Sequence, residues 1–263
     1  MIIINLNEEP GKEHMNKLRI EGNNYYNDLR KNYGSGCAIF REDIQEVLDF
    51  AYDMCFGAGH HRNHRTGGII RRRAGEQFCN TFQGKLAEVA LRKRLIYYGV
   101  NCAEPDFNVF GEGIWDDCDL IVNGKSISVK SAAFFSNLLL LESKDYDANG
   151  NYLPNLENGS TSSYDYYVLV RIKPDIKGLF RRNRLMYCDE ISKSKIEEII
   201  NSEWWSFDIG GWVNHAEFVS VIRDKNIIPQ GAKLNGKIPM DADNYYIQSG
   251  DMHKMHELVK ELK

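Results

Sequence analysis

The sequence has no run of apolar residues that approaches the roughly 20 a membrane-spanning helix needs. Stretches such as residues 138–141 (four leucines) are far too short. It has no signal-like opening either. Met1-Ile2-Ile3-Ile4-Asn5-Leu6 lacks a basic flank, and Glu8 and Glu9 follow at once. A cytoplasmic protein with no membrane attachment is therefore expected. There is no C-x-x-C pair. Six cysteines (37, 55, 79, 102, 118 and 188) lie far apart in 263 residues, which reads as reduced thiols rather than a disulfide framework. Internal repeats at solenoid or propeller periods and low-complexity tracts are absent, and the composition excludes collagenous and disordered classes. What remains is a chain at 43% hydrophobic, enough for one large domain or one domain with a small appendage.

Overall basic charge is also lacking: the net value is −4. That figure hides an asymmetry. Between residues 62 and 94 nine Lys or Arg stand against two Glu, a local +7 that leaves −11 for the rest. A basic segment within an acidic whole can bind a polyanion locally, or can simply be a solvated face. The densest part, Arg62, Arg65, Arg71, Arg72 and Arg73, would suit the backbone phosphates of DNA, which dominate affinity and position a duplex.

Periodicity predicts helices over residues 42–56 (Ile44, Val47, Leu48, Ala51) and 74–98 (Phe78, Phe82, Leu86, Val89, Ile96), the second closed by Gly99. Strands are expected at 107–110, 118–122, 126–131 and 166–172, and residues 132–141 fit either a strand or a short buried helix. A polar, partly ordered arm (1–36) with an Asn/Tyr/Gly-rich patch (22–36), a long Asp/Asn/Gly/Ser loop (143–163), a helix (192–202), a Trp/Gly-rich β-like region (204–222) and a closing amphipathic helix (252–262) complete the pass. The order describes a mixed α/β sheet. It divides into an N-terminal arm, helix and basic loop (1–73) and a core with C-terminal additions (74–263), expected to pack together as one compact domain.

Chemistry concentrates in residues 115–130, WDDCDLIVNGKSISVK. Asn123-Gly124 between two alternating runs signals a two-residue type I′ hairpin. Its register would pair Val122 with Lys125, Ile121 with Ser126, Leu120 with Ile127, Asp119 with Ser128, Cys118 with Val129 and Asp117 with Lys130. Paired residues share a face. One face then carries Cys118, Leu120, Val122, Ile127 and Val129. The other carries Asp117, Asp119, Ser128 and Lys130, with Ile121 and Ser126 nearer the turn. Two carboxylates so placed can hold a hard divalent cation, and the lysine can orient or deprotonate a water and offset phosphate charge. An ordinary cross-strand Asp117–Lys130 ion pair on a solvent-facing hairpin is the other reading of the same residues.

With Glu88 in the preceding helix (Gln83-Gly84-Lys85-Leu86-Ala87-Glu88) and the Tyr166-Tyr167-Val168-Leu169-Val170-Arg171-Ile172 strand beyond, residues 75–172 resemble the core of the PD-(D/E)xK nuclease superfamily, type II restriction endonucleases in particular. The resemblance implies a restriction-endonuclease-like mixed sheet flanked by helices. It implies that Asp119 binds metal, that Lys130 is the catalytic lysine, that the Val129 carbonyl is a further metal ligand and that Glu88 serves the metal or its water. The chain departs from the motif at Ser128, where an acid is expected. One branch of restriction enzymes is similar, with Ser-x-Lys and a Glu recruited from further along. Here the compensators are, in order, Glu142, Glu88 and Asp117.

Other constellations are weaker. Cys55 or Cys79 with His60, His61 and His64 matches no strong zinc spacing. Gly111-Glu112-Gly113 has no following helix or G-K-[ST], and Ser128 has no nucleophile-elbow context. Trp204, Trp205 and Trp212 suit a core better than base stacking, and the Asn-rich loop 143–163 could enter a DNA groove. The expectation is a Mg²⁺-dependent (Mn²⁺-tolerant) nuclease that cuts double-stranded DNA at specific sites. It would act as a homodimer on a palindrome, with a DNA methyltransferase as a candidate companion. The rivals are a structure-specific nuclease of the resolvase or repair kind, and a DNA-binding module that has lost catalysis, which Ser128 motivates.

Overall fold

The computed structural model describes residues 14–34, 36–57, 73–107, 119–154 and 163–263. Its strands in chain order are β1 (Arg19–Glu21), β2 (Asn24–Tyr26), β3 (Cys37–Ala38), β4 (Leu120–Val122), β5 (Lys125–Ala133) and β6 (Leu138–Glu142). After these come β7 (Tyr166–Lys173), β8 (Ser206–Asn214), β9 (Ile227–Ile228), β10 (Lys233–Leu234), β11 (Ile238–Pro239) and β12 (Asn244–Gln248). The α-helices are α1 (Arg41–Phe56), α2 (Ala74–Tyr97), α3 (Ile176–Arg182), α4 (Lys193–Asn201), α5 (His215–Arg223) and α6 (Met255–Glu261). The class is mixed α/β.

The central sheet has the order β3-β8-β7-β5-β4. β5 and β7 run parallel, while the other neighbours are antiparallel. Flanked on both sides and covered on both faces, β7 is buried from Tyr166 to Ile172, which is why it reads as a continuous apolar run rather than an alternating one. Successive side chains still leave from opposite faces. Tyr166, Val168, Val170 and Ile172 join Leu120, Val122, Ile127 and Val129 in a cluster with the buried stripes of α1 and α2 and with Ile196, Ile199 and Ile200 of α4. Tyr167 and Leu169 point the other way, into a second cluster with Leu139 and Leu141 of β6, Ile247 of β12, Phe218 and Val221 of α5, and Tyr146 and Tyr164. A second sheet, β6-β12-β9, forms that layer, and a third, β1-β2-β10-β11, lies beyond it.

The helices form where their apolar spacing predicts. Ile44, Val47, Leu48 and Ala51 of α1 are buried, as are Phe78, Phe82, Leu86 and Val89 of α2. Ile96, in the last turn of α2, is instead 43% exposed. α2 stops in a Schellman motif: Gly99 adopts φ +76, its N–H donates to Ile96 O, and the Val100 N–H donates to Leu95 O.

Four expectations change. Residues 132–141 are neither one strand nor a helix. β5 runs on to Ala133, a turn closes with the Ser136 N–H on Ala133 O, and the leucines form β6 by pairing with β12. The β-like region 204–222 is a strand only to Asn214. There a capping box, with Asn214 and Glu217 bonding each other's backbone, starts α5 and overrides the Trp/Gly signal. The expected arm at 1–36 includes β1 and β2, which form a hairpin, and β2 then pairs with β10. Of the expected strand at 107–110 only Phe107 is described; it is not in a strand and packs edge-on against Phe50 at 5.6 Å.

The residues on either side of the 1–73/74–263 division share clusters: Ile39 and α1 pack with α2, and Met15 packs with Tyr167 and Phe218. Trp205 and Trp212 are core residues, whereas Trp204 is exposed. The five described cysteines are free thiols. Burial pushes the Cys55 thiol up to about 12 and that of Cys102 to about 11. Among the described residues no helix is long and apolar enough to cross a membrane.

Candidate functional site

The hairpin forms in the expected register, with Leu120 opposite Ile127, Ile121 opposite Ser126 and Val122 opposite Lys125. Asn123 (φ 49) and Gly124 (φ 78) both adopt the left-handed conformation that a type I′ turn demands. Asp165 ties the hairpin to the start of β7. Its carboxylate accepts from the Ser126 N–H at 2.8 Å and from Lys125 Nζ at 3.2 Å. Burial opposes ionisation of Asp165, but the Ser126 amide and the Lys125 ammonium outweigh it and hold the carboxyl below its ordinary value.

Asp119 stands one residue before β4. Its Oδ2 accepts from the Val129 N–H at 2.6 Å and from Ser128 Oγ at 3.4 Å. The carboxylate thus pairs an amide of β5 just beyond the described part of the β4 ladder. In an extended strand the N–H and C=O of one residue project to the same side. The Val129 carbonyl therefore faces the same edge as Asp119, as a shared oxygen site requires.

Ser128 is fully buried and Lys130 half-buried. In the parallel register Ser128 lies beside Tyr167 and Lys130 beside Leu169, so both leave from the sheet face that the β6-β12-β9 layer covers. The chain reverses after β5, and β6 brings Glu142 into this layer. The Oε2 of Glu142 is shielded from solvent, 4.0 Å from Lys144 Nζ. Four residues on, the Tyr146 ring lies 6.2 Å from that of Tyr167 and 4.9 Å from that of Phe218.

Glu88 lies on the other side of the sheet. α2 packs against the Ile127 and Val129 face, with Gln83 Nε2 reaching Ser131 Oγ at 3.4 Å. Glu88 pairs at 2.5 Å with buried Lys85, whose ammonium also sits over the rings of Phe50 and Phe107. The structure thus brings Asp119, Ser128 and Val129 into contact, sets Lys130 on their face and Glu142 in the covering layer, and leaves Glu88 with a partner of its own across the sheet. Asp117, Arg62, Arg65, Arg71 and Arg72 lie outside the described residues. Arg73 precedes α2, largely exposed and ion-paired with Asp189.

Among the described residues no group of three or more His, Cys, Asp or Glu side chains could hold a metal ion. The available donors are hard oxygens, few in number. That suits Mg²⁺, which keeps several waters and takes one or two carboxylates besides substrate phosphates. Zinc gains no support. Cys79 is a buried core thiol with Ile176 O at 3.9 Å, Cys55 faces Thr81 Oγ1 at 4.0 Å, and His60, His61 and His64 lie outside the described residues.

Two features on the polar face escaped the sequence reading. Arg171, 1% exposed, makes a two-pronged pair with Asp208 at 2.7 and 2.5 Å and further bonds to the carbonyls of Lys31 and Asn32. Its one sequence signal is a charge inside an apolar strand. The other is Tyr146, whose hydroxyl is buried with no hydrogen-bond partner among the described residues. Burial above all, then neighbouring Tyr167, Tyr152 and Tyr164 and the carboxylate of Asp119, raise its ionisation well above the usual phenol range. Nothing in the sequence distinguishes it from the other tyrosines around the 143–163 loop. Comparisons with protein-family models, with curated proteins and with solved structures found no match.

Proposed function

We propose that the chain is a Mg²⁺-dependent endonuclease that hydrolyses phosphodiester bonds of double-stranded DNA at specific sequences, as type II restriction enzymes of the PD-(D/E)xK kind do. The observation that carries the reading is the Asp119 carboxylate held against Ser128 and the Val129 amide, on the sheet face from which Lys130 also leaves. A hairpin next to a parallel strand, backed by a long helix, agrees with such a core. The described part of the connection from β5 to β7 carries β6 and a 3₁₀ turn (Ser143–Asp145).

Asp119, the Val129 carbonyl and Glu142 would hold the cation. Glu142 is preferred to Glu88 because β6 packs on the Ser128 and Lys130 face, whereas Glu88 is engaged with Lys85. Bound there, Mg²⁺ supplies charge stabilisation at the phosphoryl oxygens, and Mn²⁺ would substitute. Lys130, as the neutral amine, would orient the water and take up its proton as the water oxygen attacks the phosphorus in line; the P–O3′ bond breaks and the departing 3′-oxygen takes a proton from solvent. The arginines from 62 to 73 grip backbone phosphates. A palindromic site calls for a two-fold homodimer, and protection of host DNA for a companion methyltransferase.

The test is digestion of plasmid and phage DNA in Mg²⁺, with EDTA and Asp119→Ala controls. Discrete fragments that vanish in both controls are expected. Cleavage of branched DNA alone would replace the reading by a structure-specific nuclease. Salt-sensitive duplex binding with no cutting in Mg²⁺ or Mn²⁺ would replace it by a binding module.

A further inference from the structure

The segment that returns over the polar face carries a hydroxyl with no hydrogen-bond partner among the described residues. Tyr146 is 6% exposed, and its oxygen is sealed from solvent and bonds nothing among the described residues. Its ring is fixed on several sides, by Tyr152 at 5.3 Å, Phe218 at 4.9 Å and Tyr167 at 6.2 Å. Tyr167 stands beside Ser128 in the β5–β7 register, and Ser128 bonds Asp119. A chain of contacts therefore leads from the Tyr146 ring to the Asp119 carboxylate, which is also near enough to act on the phenol electrostatically. Tyr167 itself reaches Gly150 O at 3.5 Å. A phenol needs a hydrogen-bond partner when buried, and one this firmly held cannot turn to find it.

We infer that Tyr146 is a positioning residue of the Asp119 site, its hydroxyl donating to an oxygen of the hydrated divalent cation held there. The inference rests on the nuclease reading of that site. A donor of this kind fixes a coordinated oxygen without being a ligand, and loss of such outer partners typically weakens metal binding by about 10–100-fold.

The test is Mn²⁺ titration of the intact protein without DNA, read by calorimetry or by the paramagnetic resonance of free Mn²⁺. The wild type, Tyr146→Phe, Asp119→Ala and Tyr245→Phe are compared, with thermal midpoints measured in the absence of metal. Tyr146→Phe keeps the ring packing. It is expected to bind Mn²⁺ about tenfold more weakly, with a midpoint equal to the wild type's or higher because an unpaired hydroxyl has gone. Tyr245→Phe, on the far side of Phe218, is expected to bind as the wild type does. Unchanged affinity in Tyr146→Phe, while Asp119→Ala loses binding, would overturn this inference and leave the site reading standing. So would a sharp fall in its midpoint, which would give the hydroxyl a partner within the protein. A wild type that does not bind Mn²⁺, or an Asp119→Ala that binds it normally, would overturn both.

Discussion

The two faces of the central sheet are built to different rules. Against α1, α2 and α4 the contacts with the sheet are mostly apolar, and the charged pairs described there, Lys85 with Glu88, Asp43 with Lys93 and Asp49 with Lys193, join the helices to themselves and to one another. Under the β6-β12-β9 layer the same strands bury Ser128 and Arg171 and present Asp119 and Lys130 among tyrosines. Apolar packing stabilises without directing anything, whereas each buried polar group requires a placed partner. The helix side therefore serves as scaffold. The polar side is where geometry is specified closely enough for chemistry.

Substitutions can break or sharpen that contrast. The largest effects are expected at the buried centres of each face. Asp208→Ala leaves the Arg171 guanidinium uncompensated, and should cost about 3–5 kcal/mol in denaturant unfolding. Phe82→Ala, opening a cavity between Phe78 and Trp205 on the helix side, should cost a similar 3–5 kcal/mol or so. It should leave cleavage per folded molecule unchanged. A large loss of that specific activity in Phe82→Ala would erase the distinction between the faces.

Next comes Asp119→Ala, expected to destabilise by about 1–3 kcal/mol because the Val129 amide loses its acceptor. Unlike Phe82→Ala, it should also abolish cutting at full occupancy of the folded state. Gly124→Ala forces an L side chain to φ 78 in the hairpin turn, at about 1–2 kcal/mol. Since nothing lies within 4 Å of the added methyl, backbone strain would be its sole cause. The smallest effect belongs to Asp165→Asn, about 0.5–1 kcal/mol at neutral pH because the Asp165–Lys125 pair is partly exposed. The folded carboxyl titrates below its usual 3.8, so its contribution is present above that pH and is lost as pH falls through the lowered value. The gap between Asp165→Asn and the wild type should close on acidification; a gap that widens would contradict the assigned pair.

Local chemistry was legible in the sequence where it was self-sufficient. Asn123-Gly124 and its flanking alternation were enough to read the hairpin register, because a two-residue turn leaves no freedom to slip. Gly99 marked the end of α2 for a similar reason. What stayed hidden depends on distant partners. The leucines of β6 have no period of their own and become a strand only against β12. The Asn214 and Glu217 cap was present in the sequence but was outweighed by the Trp and Gly around it. At the candidate site, Asp119, Ser128 and Lys130 could be assigned to one face from alternation alone. Which carboxylate would accompany them could not, since Glu88 and Glu142 are separated by the layers on the two sides of the sheet, not by spacing along the chain.

The most direct measurement is the single-turnover cleavage rate of one DNA duplex in saturating Mg²⁺ by the wild type, Lys130→Ala and Glu88→Gln, each shown to be folded. If chemistry belongs to the polar face, Lys130→Ala should fall by about 10²–10⁴-fold, while Glu88→Gln, changed on the helix side, should cut close to the wild-type rate. The reverse pattern, with Lys130→Ala active and Glu88→Gln dead, would contradict the assignment and move the reacting centre to the other side of the sheet.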